Sequence, residues 1–278
     1  MALNFSNNNE LRPSNLCYLS RGFPELRYNS ILKFFTYLFT ITEIVFNSAW
    51  AGPPFVTDDP EPVEYHHWEI NYGVTDTLVQ GSASIGLPSI DINYGIAPDI
   101  QLHAQPRYSY EKSTTNRRFG IDDTEVGFNY RFLNIEQGDS SFMAGIYPMF
   151  QLPTGDTKLG PDRGKHQSFL PLWLQYTKKE WTSYGGAGYR INPGAGNKNS
   201  VFLGAATLYQ FTPSLQFGGE IFHQTPDSTE GKSTSGVNLG GSYNLAHDYN
   251  FLFSAGRGLD YASSTNQLSV YLALQVLY

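Results

Sequence analysis

The stretch SVYLALQVLY at residues 269–278 alternates its apolar side chains without a break. Val270, Leu272, Leu274, Val276 and Tyr278 fall on one face of an extended strand, with Ser269, Tyr271, Ala273, Gln275 and Leu277 on the other, because successive strand side chains point to opposite sides. A strand this apolar and uncharged is a hazard at the edge of a soluble sheet, where unpaired backbone groups recruit other chains. Closing the sheet into a barrel abolishes the edge, and a bilayer accepts the apolar face. The run therefore predicts one strand of a membrane barrel, provided that the pattern recurs upstream.

It does recur. Trp68, Ile70, Tyr72 and Val74 oppose Glu69, Asn71, Gly73 and Thr75, while Ile90, Ile92 and Tyr94 oppose Asp91 and Asn93. Ile100 to Tyr108 repeats the pattern against Gln101, His103, Gln105 and Arg107, and Val126, Phe128, Tyr130 and Phe132 face away from Glu125, Gly127, Asn129 and Arg131. Further runs begin near Phe142, Leu170, Trp181, Val201, Leu215, Val237 and Tyr249. Pro148 and Pro171 are awkward in a ladder, since proline lacks the N–H. The fold class expected is all-β, a transmembrane antiparallel up-and-down β-barrel of about 12 strands, with roughly 10–14 compatible with the pattern.

The connections alternate in length. Short links fall at 97–99, 134–140, 178–180, 212–214 and 246–248, and longer polar ones at 111–121, 153–166, 192–199, 226–233 and 260–265. Outer-membrane barrels pair short periplasmic turns with longer external loops, so both termini are expected in the periplasm of a Gram-negative cell. Loop 153–166, PTGDTKLGPDRGKH, either folds inward as a constriction or stands as a solvated tip; the tip is the ordinary case.

Composition supports this class. Charged residues make up 15% of the 278, against about 25% in ordinary soluble domains, yet the mean hydropathy is −0.33. Long apolar helices are thereby excluded, while alternating faces average to mild polarity. A formal net charge of −7 argues against nucleic acid as a partner, since phosphate binding needs a basic surface.

At the other end, ILKFFTYLFTITEIVF (31–46) leads to Asn47-Ser48-Ala49-Trp50-Ala51. A basic residue, an apolar stretch and an A-x-A end predict a signal peptide cleaved after Ala51. Residues 1–51 thus read as an N-terminal extension plus signal peptide, with translation expected to start near Leu32 because residues 1–30 are long and polar for a leader. The single cysteine, Cys17, lies upstream of that cleavage. Residues 52–64 form a Pro-rich acidic tail and 65–278 the barrel. Asp58, Asp59, Glu61 and Glu64 either enter the lumen as a plug or hang in the periplasm, the latter being the expectation for a terminal polar segment.

Charges facing lipid at the midplane cost about 2–4 kcal/mol for Arg or Lys, so the charged faces should turn inward. The inward set, and hence the pore lining expected, comprises Glu69, Asp91, Arg107, Glu125, Arg131, Arg190 and Glu220. Such a lining selects a small solute, or its salt bridges seal the interior. About twelve strands leave a bore narrower than that of 16–18-stranded porins. The rival reading is a barrel-embedded lipid hydrolase, which needs Ser and His in hydrogen-bond reach; Ser183 and His223 lie two strands apart, too far for contact. No GxSxG, HExxH or phosphate loop occurs. His66 and His67 point to opposite faces of an extended chain and cannot chelate together, so neither a metal nor a cofactor is expected.

The segments PPFVTDDPEPVEYHHWEINYG (53–73), YPMFQLPTGD (147–156), FLPLWLQ (169–175), YGGAGYRINPGAGN (184–197), GGEIFHQTPDS (218–228) and FSAGRG (253–258) resemble a bacterial family of outer-membrane proteins associated with a MetA pathway of phenol degradation. The resemblance implies a barrel channel or transporter for small, hydrophobic or aromatic solutes. It carries over no catalytic or ligand residue. As a barrel, the chain is expected to meet outer-membrane lipids and the barrel-assembly machinery, for which a terminal aromatic such as Tyr278 is a general assembly signal.

Overall fold

A computed structural model describes residues 54–79, 81–113, 116–159 and 164–278. The signal-peptide, cleavage and start-site expectations on residues 1–51 lie outside them. The chain forms one antiparallel sheet whose first strand pairs with both the second and the last, which closes the barrel. Its twelve strands are β1 Trp68–Val79, β2 Ser82–Ala97, β3 Ile100–Gln105 continued by Arg107–Lys112, and β4 Arg117–Ile121 continued by Thr124–Gln137. They continue as β5 Ser140–Ile146 with Met149–Leu152, β6 Gln167–Lys178, β7 Trp181–Ile191 and β8 Ser200–Thr212. The set closes with β9 Leu215–Gln224, β10 Thr234–Ala246, β11 Tyr249–Gly258 and β12 Leu268–Leu277.

The alternating run at 269–278 holds the seam. β12 runs against β1 in unbroken register from Glu69 opposite Leu277 to Leu78 opposite Leu268. Trp68 and Tyr278 then exchange both backbone hydrogen bonds at 3.0 Å. Burial is inverted relative to a soluble protein. On β6, Trp173 and Gln175 are 0% and 1% exposed, while their neighbours Leu172 and Leu174 are 45% and 43% exposed. Large aliphatic side chains on the outside of a closed sheet, with amides within, fit a hydrocarbon surround and no other solvent. Exposed Trp68, Tyr176, Trp181, Tyr243, Tyr249 and Tyr278 ring the end that carries the short turns, the position of an interfacial aromatic girdle.

Three strands are interrupted, each for a local reason. Pro106 breaks β3 and Pro148 breaks β5, where the missing N–H cannot serve the ladder; each proline's carbonyl still accepts a neighbouring backbone N–H at 3.2 Å. In β4 the break is Asp122–Asp123. The buried Asp123 carboxylate accepts the N–H of Gly155 at 2.7 Å and of Gly164 at 2.9 Å, and Leu159 is buried. The described parts of loop 153–166 therefore fold back onto β4, which corrects the expectation of a solvated tip. The expected long loop at 111–121 is also corrected. Arg117–Ile121 pairs with Tyr108–Lys112, so β3 and β4 extend as a hairpin and leave only residues 113–116 as the connection.

Candidate functional site

The lumen is occupied by the chain's own N-terminal tail, against the expectation that it hangs free. Tyr65 bridges Gly95 of β2 near the turn end, and from there the segment runs back through the barrel. Val63 donates its N–H to Gln101 at 2.8 Å, and Gln175 donates to Glu61 at 3.0 Å. Asn129 reaches the Asp59 carbonyl at 3.5 Å, and Ser254 donates to the Pro54 carbonyl at 2.6 Å. Partners on β3, β4, β6 and β11 mean that the tail crosses the bore rather than lining one wall. The proline content that bars it from the sheet suits an extended crossing. Phe55 packs against Tyr184, Ala206 and Leu208.

Glu220 on β9 is the strongest hold. Its carboxylate accepts the backbone N–H of Val56 at 3.2 Å and of Thr57 at 2.5 Å, and Asn238 donates to it at 2.6 Å. Gly204 leaves room for Thr57, since a Cβ there would overlap the threonine hydroxyl, and Gly95 does the same for the carbonyls of Val63 and Glu64. The tail brings its own acids into a lumen that already holds several. Burial raises Asp58 to about 6 and Glu61 to about 7, and lifts Asp59 well above the usual carboxylate range. Repulsion from neighbouring carboxylates adds to the rise in each case.

The seven charged positions lie on the inward face. They divide into different environments. Asp91 meets His103 at 3.0 Å and accepts from Asn71 and Asn93 at 3.2 Å; His103 also stands 3.6 Å from Glu125. Glu69 joins this network through Asn71 at 3.1 Å. Arg131 is engaged at the turn end, where it pairs with Asp99 at 2.8 Å. Arg107 and Arg190 have no acidic partner within ion-pair distance among the described residues; the Arg190 guanidinium sits 4.8 Å from the centre of the Phe169 ring, and the Arg107 Nε is buried without a hydrogen bond.

Charge alone misses the other half of the lining. Tyr147, Phe169, Trp173, Phe202 and Phe222 form a buried cluster inside the barrel, with Met149 against it. Phe202 meets Phe169 and Trp173 edge-on at 6.1 and 6.2 Å and stacks on Phe222 at 6.1 Å, the geometries that aromatic quadrupoles favour. The Trp173 Nε1–H finds no acceptor among the described residues. The interior thus has a polar wall on β1–β4 and an aromatic wall on β5–β9, with the tail between.

The hydrolase geometry is not assembled. The Ser183 hydroxyl meets Thr207 at 3.1 Å, and His223 Nδ1 meets Ser235 at 2.8 Å on the neighbouring strand. Among the described residues no acidic or amide side chain bonds the other nitrogen of His223. No group of three or more His, Cys, Asp or Glu among them is arranged to hold a metal.

Comparison with known proteins agrees with this architecture. A solved structure of the COG4313 outer membrane channel from Pseudomonas putida F1 superimposes with a TM-score of 0.57 at 13% identity, covering 82% of this chain and all of that one. The KdgM porin follows with a TM-score of 0.48 at 15% identity, covering 75% of this chain and 98% of its own. No curated protein matches the sequence. The family model described as "Putative MetA-pathway of phenol degradation" matches residues 64–275. With that match across nearly the whole barrel, the chain belongs to the "MetA-pathway of phenol degradation" family and has the closed twelve-stranded fold of an outer-membrane channel.

Proposed function

We propose that the protein is an outer-membrane channel for small hydrophobic or aromatic solutes, held shut at rest by residues 54–64. The observation that carries this reading is the aromatic wall inside the lumen. A barrel that served only as a scaffold would gain as much from apolar packing anywhere in its interior. Here the rings share one side of the bore while the opposite side keeps Glu69, Asp91, His103 and Glu125, a two-faced lining suited to a solute with an apolar body. The inward charges line the path, and movement of the tail opens it. In this reading the turn end faces the periplasm, the leader is removed after Ala51, and Tyr278 serves barrel assembly.

Reconstitution tests the proposal. Planar-bilayer conductance and phenol flux into liposomes should be low for the wild type and raised when Glu220→Ala frees the tail. Folded, unlatched barrels that pass neither ions nor phenol would leave a closed structural barrel as the answer. Release of fatty acid from phospholipid by the purified protein would instead favour the hydrolase.

A further inference from the structure

Among the described residues, Arg107 and Arg190 are inward cations with no acidic group within ion-pair distance. Arg190 lies next to the last residue of β7, opposite Phe169 in the ladder, and Arg107 opens the second segment of β3. Both positions are toward the long-loop end of the lumen, beyond the Gln101, Asn129 and Gln175 contacts of the tail. Three strands, β4 to β6, lie between them around the wall, and the two guanidiniums act electrostatically on each other and on Glu125 across the bore. Burying guanidinium surface without a counter-ion is costly, and arginine's planar fork matches a carboxylate. Phe169 and Met149, which pair across the ladder, supply an apolar floor.

We propose that Arg107 and Arg190 form a recognition site for a small aromatic monocarboxylate, with the solute's ring against the Phe169 side of the aromatic wall. This deepens the channel reading and rests on it. The charge balance disfavours a dianion. Two guanidiniums against the Glu125 carboxylate leave at most one positive charge, since His103 is matched by Asp91 at 3.0 Å. Asp227, on the loop after β9, also acts on Arg190 and lowers that surplus. A neutral aromatic would fill the same space but leave the guanidiniums unpaired. The site lies on the long-loop side of the tail's Gln101, Asn129 and Gln175 contacts, so it does not require the tail to leave.

The test is calorimetric titration of the folded, detergent-solubilised full chain with benzoate, benzyl alcohol and phthalate as probes. Benzoate should bind at least ~10-fold more tightly than benzyl alcohol, the discrimination that one charge-assisted hydrogen bond supplies, and phthalate should bind more weakly than benzoate. Arg107→Gln and Arg190→Gln should each lower benzoate affinity toward that of benzyl alcohol. Arg190→Lys should restore part of it, and Lys178→Gln at the turn end should leave the preference intact. Heat-modifiable migration on gels verifies that each variant is folded. Equal binding of benzoate and benzyl alcohol, or a preference that survives both glutamine variants, overturns the site. If benzoate binds as expected but neither it nor phenol crosses a bilayer through Glu220→Ala barrels, the channel reading fails while the site stands. If both solutes cross at equal rates and bind alike, the site fails while the channel stands.

Discussion

Glu220→Ala should release the tail from the lumen. The carboxylate accepts two tail N–H groups, from Val56 and Thr57, and hydrogen bonds to charged groups contribute about 1.5–3 kcal/mol each. Water that enters the vacated space re-solvates the freed amides, so the net loss of docking is nearer one such bond than two, about 3 kcal/mol. Phe55 keeps its apolar contacts with Tyr184, Ala206 and Leu208, so the bonds to Glu220 are the part of the docking that is lost. A net 3 kcal/mol corresponds to a roughly hundredfold shift toward the undocked state. Thr57, fully buried, is the reporter. In a Cys17→Ser background, Thr57→Cys should react with a maleimide about a hundredfold faster when Glu220 is alanine. Glu220→Gln, which keeps an acceptor without the charge, should fall between. Labelling rates within threefold of each other would refute Glu220 as the latch.

Docking of the tail should weaken as pH rises. Asp58 and Glu61 titrate near 6 and 7 when docked, above ordinary carboxylate values. The docked tail therefore binds more protons than the free one, and its stability is full below about pH 4 and lost as pH climbs through 7. Conductance or Thr57→Cys labelling should accordingly be higher at pH 8 than at pH 5, and the opposite slope would contradict the burial of these acids. Gly95→Val should displace the tail's stem, because the added carbon collides with the carbonyls of Val63 and Glu64; limited proteolysis should cut the tail while the barrel remains heat-modifiable. Leu272→Arg, on the lipid face of β12, should lower barrel stability by about 2–4 kcal/mol in a folding titration into bilayers, whereas a neutral result would place that face out of lipid. Deleting Tyr278 should reduce membrane assembly more than the flux per assembled barrel, and normal assembly would reduce it to an interface anchor.

The strands were legible because period-2 alternation is a local signal and the bilayer enforces it on every strand. Legibility stopped where a feature depends on partners distant in sequence. Pro54 and Ser254 are 200 residues apart, and nothing within PPFVTDDPEPVEY distinguishes a luminal crossing from a solvated tail. The stretch 111–121 reads as a loop because Glu111, Lys112, Arg117 and Arg118 are charged, yet charge on a strand that extends past the lipid costs nothing, and the hairpin continues there. For the aromatic wall a signal did exist. FLPLWL at 169–174 is apolar on both faces, as VFLGAA at 201–206 nearly is, and such double-sided runs mark strands whose inner face is not wet. An expectation of a polar lumen passes over them. Arg107 and Arg190 were identifiable as inward, but not as lacking an acidic partner among the described residues, since pairing across a bore is set by strand order and register together.

The tail has a consequence for the order of events in biogenesis. It is joined to β1, one side of the seam, yet its docking partners lie on β3, β4, β6, β9 and β11. The segment synthesised ahead of every strand thus has no complete binding site until almost all of them are in place. Its hydrogen bonds are among the longest-range in the molecule, the kind whose closure entropy delays formation. Before that point the acidic, proline-rich tail resists joining the ladder. After it, burial of Thr57 certifies that the wall is finished, so protection of this one residue is a clock for barrel completion.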